Sequence, residues 1–264
     1  MLKLLFGYIK NIFKPKGSKK LLIPSTNLKS FNKEISPNDT MFLGDNQFYF
    51  YWGMWSLNCV QKVLAKLKKQ KINNILDLPC GHGRSMRFFK AAFPSANLTA
   101  CELDKDGVDF CVKTFGAKGV YSSTNPSEIS LNNKYDLIWC GSLFTHLDQH
   151  KWREFLTFFS DHLEQDGVLI FTTHGNNIIR HLRSGKVDLG LGKTALKELL
   201  KQHDSAGIAY CDYPEQNGYG VSLSQNEWVL NLIKEFPKLS LIEEKPSKWG
   251  GPFYYQNVYT VVRN

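Results

Sequence analysis

Two acidic side chains and a pair of glycines lie at the point where a predicted strand gives way to a helix. Asp77 lies in the apolar run 72–78, which predicts a buried strand. Gly81 and Gly83 follow that run, and Glu102 lies 19 positions beyond Gly83. Glycines let the backbone approach a ligand without a Cβ in the way, and a carboxylate can accept hydrogen bonds from both vicinal hydroxyls of a ribose. The spacing predicts a nucleotide-type binding corner of strand, turn and helix.

Two histidines have positions from which they could move a proton. His146 follows a predicted fourth strand at 135–141, and His174 follows a predicted fifth strand at 167–173. Ligands of open α/β sheets bind outside the carboxyl ends of the strands, so both imidazoles are expected to face one crevice. A neutral imidazole can take a hydroxyl proton near neutral pH. The alternative for each is a structural histidine that is bonded to the backbone.

The elements that must position these residues alternate between strands and helices. The first five predicted strands are separated by helical segments and cover 72–78, 97–102, 119–123, 135–141 and 167–173. This alternation specifies a doubly wound parallel sheet with right-handed crossovers. The apolar or alternating stretches 239–245 and 257–262 predict two final strands.

The glycine turn identifies a family resemblance. The residues D-L-P-C-G-H-G at 77–83 depart from a dinucleotide fingerprint, because Met86 occupies the position of its third glycine. They resemble motif I of the class I S-adenosylmethionine (SAM) dependent methyltransferases, D/E-x-G/P-x-G-x-G. The segment W-C-G-S-L-F-T-H-L at 139–147 resembles the motif IV region of small-molecule methyltransferases. The resemblance implies an α/β fold with a doubly wound, mainly parallel seven-stranded sheet, an antiparallel last strand, and SAM as the cofactor.

The resemblance also implies which residues bind the cofactor and which act on the acceptor. Many family members place an acid at the end of the third strand to bind the adenine amino group, whereas this chain has two serines, so a hydroxyl or the backbone is expected there. The catalytic candidates are His146 and His174. The residues assigned to the cofactor are Asp77, Pro79, Cys80, Gly81, Gly83, Glu102, Leu103, Ser122, Ser123, Cys140 and Gly141.

No metal is expected. The fourth strand ends in Cys140 and Gly141, not in the acid that magnesium-dependent catechol-type methyltransferases place there. The six cysteines show no C-x-x-C spacing, and they are typical of reduced thiols in an intracellular protein.

Residues 174–238 form a longer connection than one helix needs. They contain a candidate hairpin, 208–213 with 218–223. We predict that this insertion between the fifth and sixth strands is the substrate lid. Tyr219 within it is a candidate to line the acceptor site, or to serve as ordinary packing.

The positive charge is concentrated at the amino terminus. Residues 1–33 contain eight lysines and no acid, and the rest of the chain carries 25 basic against 24 acidic residues. A nearly neutral body makes nucleic acid an unlikely partner. Residues 1–40 are predicted to be a basic arm with an amphipathic helix at 2–14, followed by the methyltransferase domain at 41–264. The helix suits either peripheral membrane contact through residues 1–20 or packing on the domain. The predicted location is the cytoplasm, or the inner face of the membrane if the helix binds there.

These features predict a SAM-dependent methyltransferase that acts on a hydroxyl of a small molecule or glycan. The motifs are similar to those of bacterial methyltransferases associated with surface-polysaccharide biosynthesis. Two alternatives stay open: an RNA or protein methyltransferase that uses the basic arm, and a non-catalytic SAM-binding partner protein. The sequence leaves the oligomeric state open.

Overall fold

The computed structural model describes residues 30–249 and 256–264. The predicted helix at 2–14 and the predicted membrane contact of residues 1–20 lie outside this range. Among the helices that are described, none is long and apolar enough to span a membrane.

A seven-stranded mixed sheet forms the centre of the molecule. Its spatial order is β3-β2-β1-β4-β5-β9-β8; the first five strands are parallel, and β9 runs antiparallel to both β5 and β8. This arrangement confirms the predicted fold class. The strands are β1 Asn74–Asp77, β2 Asn97–Glu102, β3 Lys118–Tyr121, β4 Tyr135–Cys140, β5 Leu163–His174, β8 Leu239–Trp249 and β9 Gln256–Arg263, with β6 Ile208–Asp212 and β7 Gly220–Ser224 forming a separate antiparallel hairpin.

Helices cover both faces of the sheet. The helices are α1 Asn46–Lys66, α2 Met86–Ala92, α3 Lys105–Phe115, α4 Gln149–His162, α5 Asn176–Arg183, α6 Lys193–Ala206 and α7 Asn226–Lys234. Successive strand residues point to opposite faces: Leu137 and Trp139 pack with α1, α2 and α3, whereas Ile138 and Cys140 pack with α4 and α7. Both faces are therefore buried, which explains the nearly continuous apolar strands.

The insertion after β5 has a hydrophobic core of its own. That core joins α5, α6, β6 and β7 and includes Ile178, Leu199 and Val221. Helix α7 instead packs on the main sheet through Val229 and Leu232. The predicted lid segment 174–238 is thus divided into a small subdomain and a crossover helix of the sheet.

The described part of the predicted arm packs on the domain. The Phe31 ring lies 4.4 Å from that of Phe88, and the Arg87 guanidinium donates to the Asn32 and Glu34 carbonyls at 3.1 and 2.7 Å. Residues 31–34 are therefore attached to helix α2.

Candidate active site

The turn after β1 is held by its two neighbouring strands. The Leu78 amide donates to the Trp139 carbonyl of β4, and the Cys80 amide donates to the Cys101 carbonyl of β2, at 3.0 and 3.1 Å. Gly83 has φ +75°, and a Cβ there would lie 2.3 Å from the Phe115 ring of α3. Glycine is required at this point because the turn packs directly on that helix.

Glu102 ends β2 beside the turn, as the sequence predicts. One carboxylate oxygen accepts from the Gly81 amide at 3.0 Å, and the other accepts from the Leu103 amide at 2.7 Å. Burial raises the pKa of Glu102, and these backbone hydrogen bonds oppose the rise. Each oxygen keeps a second lone pair, so the carboxylate can still accept two hydroxyls.

Asp77 is buried beneath the same turn. Its side chain is 1% exposed, and its Oδ2 is fully buried without a hydrogen-bond partner among the described residues. Burial, followed by the charge of Glu102, raises its pKa well above the usual range. A buried carboxylate oxygen without a donor is costly, so this position fits a cationic or hydrogen-bond-donating ligand group. We call residues 77–84 together with Glu102 the glycine-turn site.

The other residues assigned to the cofactor lie around the same strand ends. Leu103 is 52% exposed next to Glu102 and offers an apolar surface. The Ser122 amide donates to the Glu102 carbonyl at 2.8 Å, and the Ser123 hydroxyl donates to Glu128 at 2.6 Å. Cys140 is completely buried in the core, so only its backbone can face a ligand. Pro79, Cys80 and Gly141 lie in the connections that follow β1 and β4.

His146 and His174 are brought together by the hairpin. His146 Nδ1 lies 2.8 Å from the Gly220 carbonyl, and His174 Nδ1 lies 2.8 Å from the Ser222 carbonyl. A carbonyl only accepts, so each Nδ1 carries the proton and each Nε2 keeps its lone pair. Both residues are half-buried, and neither Nε2 is among the fully buried atoms. The two free lone pairs are therefore available to a ligand.

Burial keeps both imidazoles neutral. It lowers the pKa of His146, and it lowers that of His174 to about 4, with a further lowering from the charge of His146. The two rings are neighbours, because the Gly220 and Ser222 carbonyls to which they bond lie two residues apart on β7. The hydrogen bonds to Gly220 and Ser222 oppose these shifts.

Two tyrosines of the insertion complete this group. The Tyr219 ring stacks on His146 with centroids 4.7 Å apart, and the Tyr213 hydroxyl lies 3.4 Å from His146 Nδ1. Burial and then the charge of Glu102 raise the pKa of Tyr219 to about 12. We call His146, His174, Tyr213 and Tyr219 the histidine site. Tyr213 was not predicted from the sequence, where it appears only as the end of a strand.

His82, in the glycine turn, packs against helix α3. It is 5% exposed, and its Nε2 lies 2.8 Å from Asp106. Asp104 caps helix α3 by accepting from the Asp106 amide at 3.1 Å. Within the described ranges, no group of three or more His, Cys, Asp or Glu side chains is arranged to hold a metal ion.

Known proteins share this fold and motif arrangement. Residues 75–167 match the family model described as a methyltransferase domain. No curated protein matches the chain. A SAM-dependent methyltransferase from Clostridium acetobutylicum ATCC 824 is 18% identical, with a TM-score of 0.54 over 81% of this chain and 92% of that one.

Two further solved structures are similar. The N-methyltransferase NodS from Bradyrhizobium japonicum WM9, solved with S-adenosyl-L-homocysteine (SAH), is 15% identical, with a TM-score of 0.51 over 86% of this chain and 93% of that one. The magnesium protoporphyrin IX methyltransferase ChlM from Synechocystis PCC 6803, also with SAH, is 12% identical, with a TM-score of 0.52 over 84% and 89%. At these identities the likeness shows the fold.

The fold, the glycine-turn site and the family match define a class I SAM-dependent methyltransferase. Residues 75–167 of the chain belong to the methyltransferase domain family, and the cofactor is SAM. The site fits that cofactor: Glu102 retains acceptors for the two ribose hydroxyls, and the unpartnered oxygen of Asp77 suits the cationic amino-acid end.

Proposed function

We propose that this methyltransferase acts on a hydroxyl group of a small molecule or glycan, with His146 as the general base. One observation carries the proposal: two imidazoles after β4 and at the end of β5 bond to β7 carbonyls through Nδ1, which leaves each Nε2 lone pair without a partner among the described residues. A hydroxyl nucleophile must lose its proton during methyl transfer, so it needs such a base. An amine that is already neutral needs none.

The two histidines are proposed to have different roles. SAM supplies the methyl group as a sulfonium, and the chain supplies position, exclusion of water and a proton acceptor. His174, whose pKa is lowered to about 4, is a weak base, and it is proposed to orient the acceptor by accepting a hydrogen bond from it. His146 is proposed to take the proton on Nε2, while Nδ1 keeps its own proton and donates it in the hydrogen bond to the Gly220 carbonyl.

The hairpin is proposed to serve as a lid. Besides the two histidine contacts, the Ser222 amide of β7 donates to the Thr145 carbonyl at 2.8 Å. The Tyr219 ring covers one face of His146. Docking of β7 would thus exclude water from the reacting hydroxyl, which strengthens the polar interactions inside the site.

An acceptor screen tests the proposal. The full chain is incubated with SAM and matched pairs of hydroxyl and amine acceptors, including monosaccharides, glycan fragments and phenols, and SAH release is followed. We expect turnover with hydroxyl acceptors and a methyl group on oxygen by mass spectrometry. A methyl group found only on nitrogen would overturn the proposal. Methylation confined to RNA, with binding that weakens steeply as salt rises, would support the alternative that uses the basic arm.

A further inference from the structure

The backbone takes an unfavourable conformation at Ser142, four positions before His146. Ser142 has φ +67°, which lies in the left-handed region that residues with a side chain rarely adopt. Such a conformation persists only where the surrounding structure holds it. The contacts of Ser142 therefore identify the residues that determine the shape of residues 142–146, which we call the His146 loop.

Thr172 and Gln256 hold Ser142 through a closed set of hydrogen bonds. The Ser142 amide donates to Thr172 Oγ1 at 2.8 Å, and Thr172 Oγ1 lies 2.5 Å from Gln256 Oε1. Gln256 Nε2 donates to Ser142 Oγ at 2.9 Å. A separation of 2.5 Å fits an O–H···O bond and 2.9 Å fits an N–H···O bond, so both distances agree with one orientation of the amide. Gln256 thus holds Ser142 directly through Nε2 and, through Thr172, with Oε1.

Hydrogen bonds within the loop connect Ser142 to His146. Thr145 Oγ1 donates to the Ser142 carbonyl at 2.6 Å, and the His146 amide donates to the Leu143 carbonyl at 2.9 Å. The loop is therefore a compact turn, and a rearrangement at Ser142 must move the backbone that carries the imidazole of His146.

Gln256 meets the two histidine-bearing segments in different ways. Its backbone pairs with His174, where β9 begins and β5 ends. Its side-chain amide instead bonds to Ser142 and Thr172. A substitution of the side chain should therefore disturb His146 and leave the strand pairing at His174 in place.

We propose that Gln256 is a positioning residue for the reaction: its side-chain amide holds the His146 loop so that His146 Nδ1 stays bonded to the Gly220 carbonyl. The proposal rests on the proposed function, in which His146 is the general base. Nδ1 must meet the carbonyl for Nε2 to keep its lone pair. Gln256 acts on this tautomer through Ser142 and does not itself transfer a proton.

Long-range proton–nitrogen NMR of the full chain with bound SAH tests this role, because it shows which nitrogen of each imidazole carries the proton. His146→Gln and His174→Gln assign the two signals. In the wild type we expect His146 to be protonated on Nδ1. Gln256→Met keeps a similar length and removes both hydrogen bonds of the amide, so it should raise the ratio of Nε2-protonated to Nδ1-protonated His146 by roughly 2- to 10-fold. The tautomer of His174 should stay unchanged.

Gln256→Glu is the conservative variant that should restore the loop. Its carboxylate keeps an acceptor for Thr172 Oγ1. The Ser142 hydroxyl, which lies 3.3 Å from Oε1 in the native protein, can donate to the same carboxylate. We therefore expect the wild-type His146 signal in Gln256→Glu.

Two controls separate a local effect from a general loss of structure. Gln202→Met, exposed on α6, makes the same substitution away from the loop and should leave the His146 signal unchanged. His162 is an internal control, because its Nδ1 lies 2.7 Å from the Phe158 carbonyl on α4. Its tautomer should be the same in every variant.

Several results would overturn the proposal. An Nε2-protonated His146 in the wild type would do so without any variant. An unchanged His146 signal in Gln256→Met would do so as well, and equal changes at His146 and His174 would show that the side chain only secures the strand ends. If Gln256→Met does not fold, Thr172→Val removes the hydroxyl that joins Ser142 to Gln256, and it must shift His146 in the same direction. Methylation found only on nitrogen would overturn the proposed acceptor and leave this test unaffected, because the imidazole itself is observed.

Discussion

The glycine-turn site and the histidine site are built in opposite ways. At the glycine-turn site, consecutive residues form the cradle, and Glu102 reaches the Gly81 amide from the next strand. At the histidine site, each imidazole depends on a carbonyl far along the chain, with 74 positions separating His146 from Gly220 and 48 separating His174 from Ser222. The proposed cofactor site is therefore formed mainly by residues close together in the sequence, whereas the proposed acceptor site is assembled by tertiary contact.

The titratable groups of the two sites respond oppositely to pH. Asp77 has a pKa raised above 3.8, so the stability it contributes is present below that pH and is lost as pH rises. His174 has a pKa lowered from 6.5 to about 4, so its stabilising effect is complete above pH 6.5 and is lost as pH falls toward 4. Each site favours the neutral form of its buried group in the absence of ligands.

The largest effect is expected at His146. His146→Gln should lower kcat by roughly 10²- to 10⁴-fold, the usual contribution of a general base, and should leave SAH affinity unchanged within about twofold. Steady-state kinetics and calorimetry measure the two quantities. His150→Gln is the matched control, because that side chain is 79% exposed on α4. If His146→Gln lowered SAH affinity as much as kcat, the proposed separation of acceptor site and cofactor site would be wrong.

Glu102→Ala should mainly lower SAH affinity, whereas His146→Gln should mainly lower kcat. Removal of two charge-assisted hydrogen bonds to the ribose is expected to weaken SAH binding by about 100-fold. Glu102→Gln, which retains one acceptor oxygen, should lose less. Calorimetry with SAH provides the measurement, and Glu164→Ala, exposed at the amino-terminal end of β5 and so away from the carboxyl ends of the parallel strands, serves as the control. Unchanged SAH affinity in Glu102→Ala would contradict the assignment of Glu102 to the ribose hydroxyls.

Gly220→Ala tests the tertiary origin of the histidine site. An added Cβ would lie 2.0 Å from the Cys211 carbonyl oxygen, so the hairpin must shift away from His146. We expect a loss of about 1–3 kcal/mol in unfolding free energy, a fall in kcat/KM of about tenfold or more, and unchanged SAH binding. Gly218→Ala, with open space around it and φ +76°, should show only the roughly 1 kcal/mol cost of a left-handed residue. Equal kinetic losses in both variants would refute the specific role of β7.

The smallest expected effect is the release of a proton from the glycine-turn site when SAH binds. Because burial raises the pKa of Asp77, binding of an ammonium group should release a proton as the carboxylate ionises. SAH affinity should therefore fall as pH falls toward 3.8, by at most about tenfold per pH unit. Calorimetry in two buffers of different ionisation enthalpy measures the release. The Asp77→Asn variant should bind SAH more weakly and should release no proton on binding. If this variant still released a proton, the release would come from a group other than Asp77.

The sequence predicts the glycine-turn site well because the information is local. A strand, two glycines and a strand-end acid determine the backbone path within a few residues, and the alternating apolar runs predict the central sheet. The histidines were also placed correctly at strand ends by topology. Their tautomers were not predictable, because the partners are backbone carbonyls that any residue type supplies.

The use of β7 carbonyls has a consequence for divergence of the enzyme. A carbonyl is present whatever side chain is attached, so residues such as Tyr219 can change without loss of the acceptors that orient the imidazoles. Gly220 is the exception, since no Cβ fits there. Under the proposed mechanism, new acceptor pockets can thus evolve by side-chain substitution in the hairpin while the proposed proton acceptor, His146, keeps its orientation.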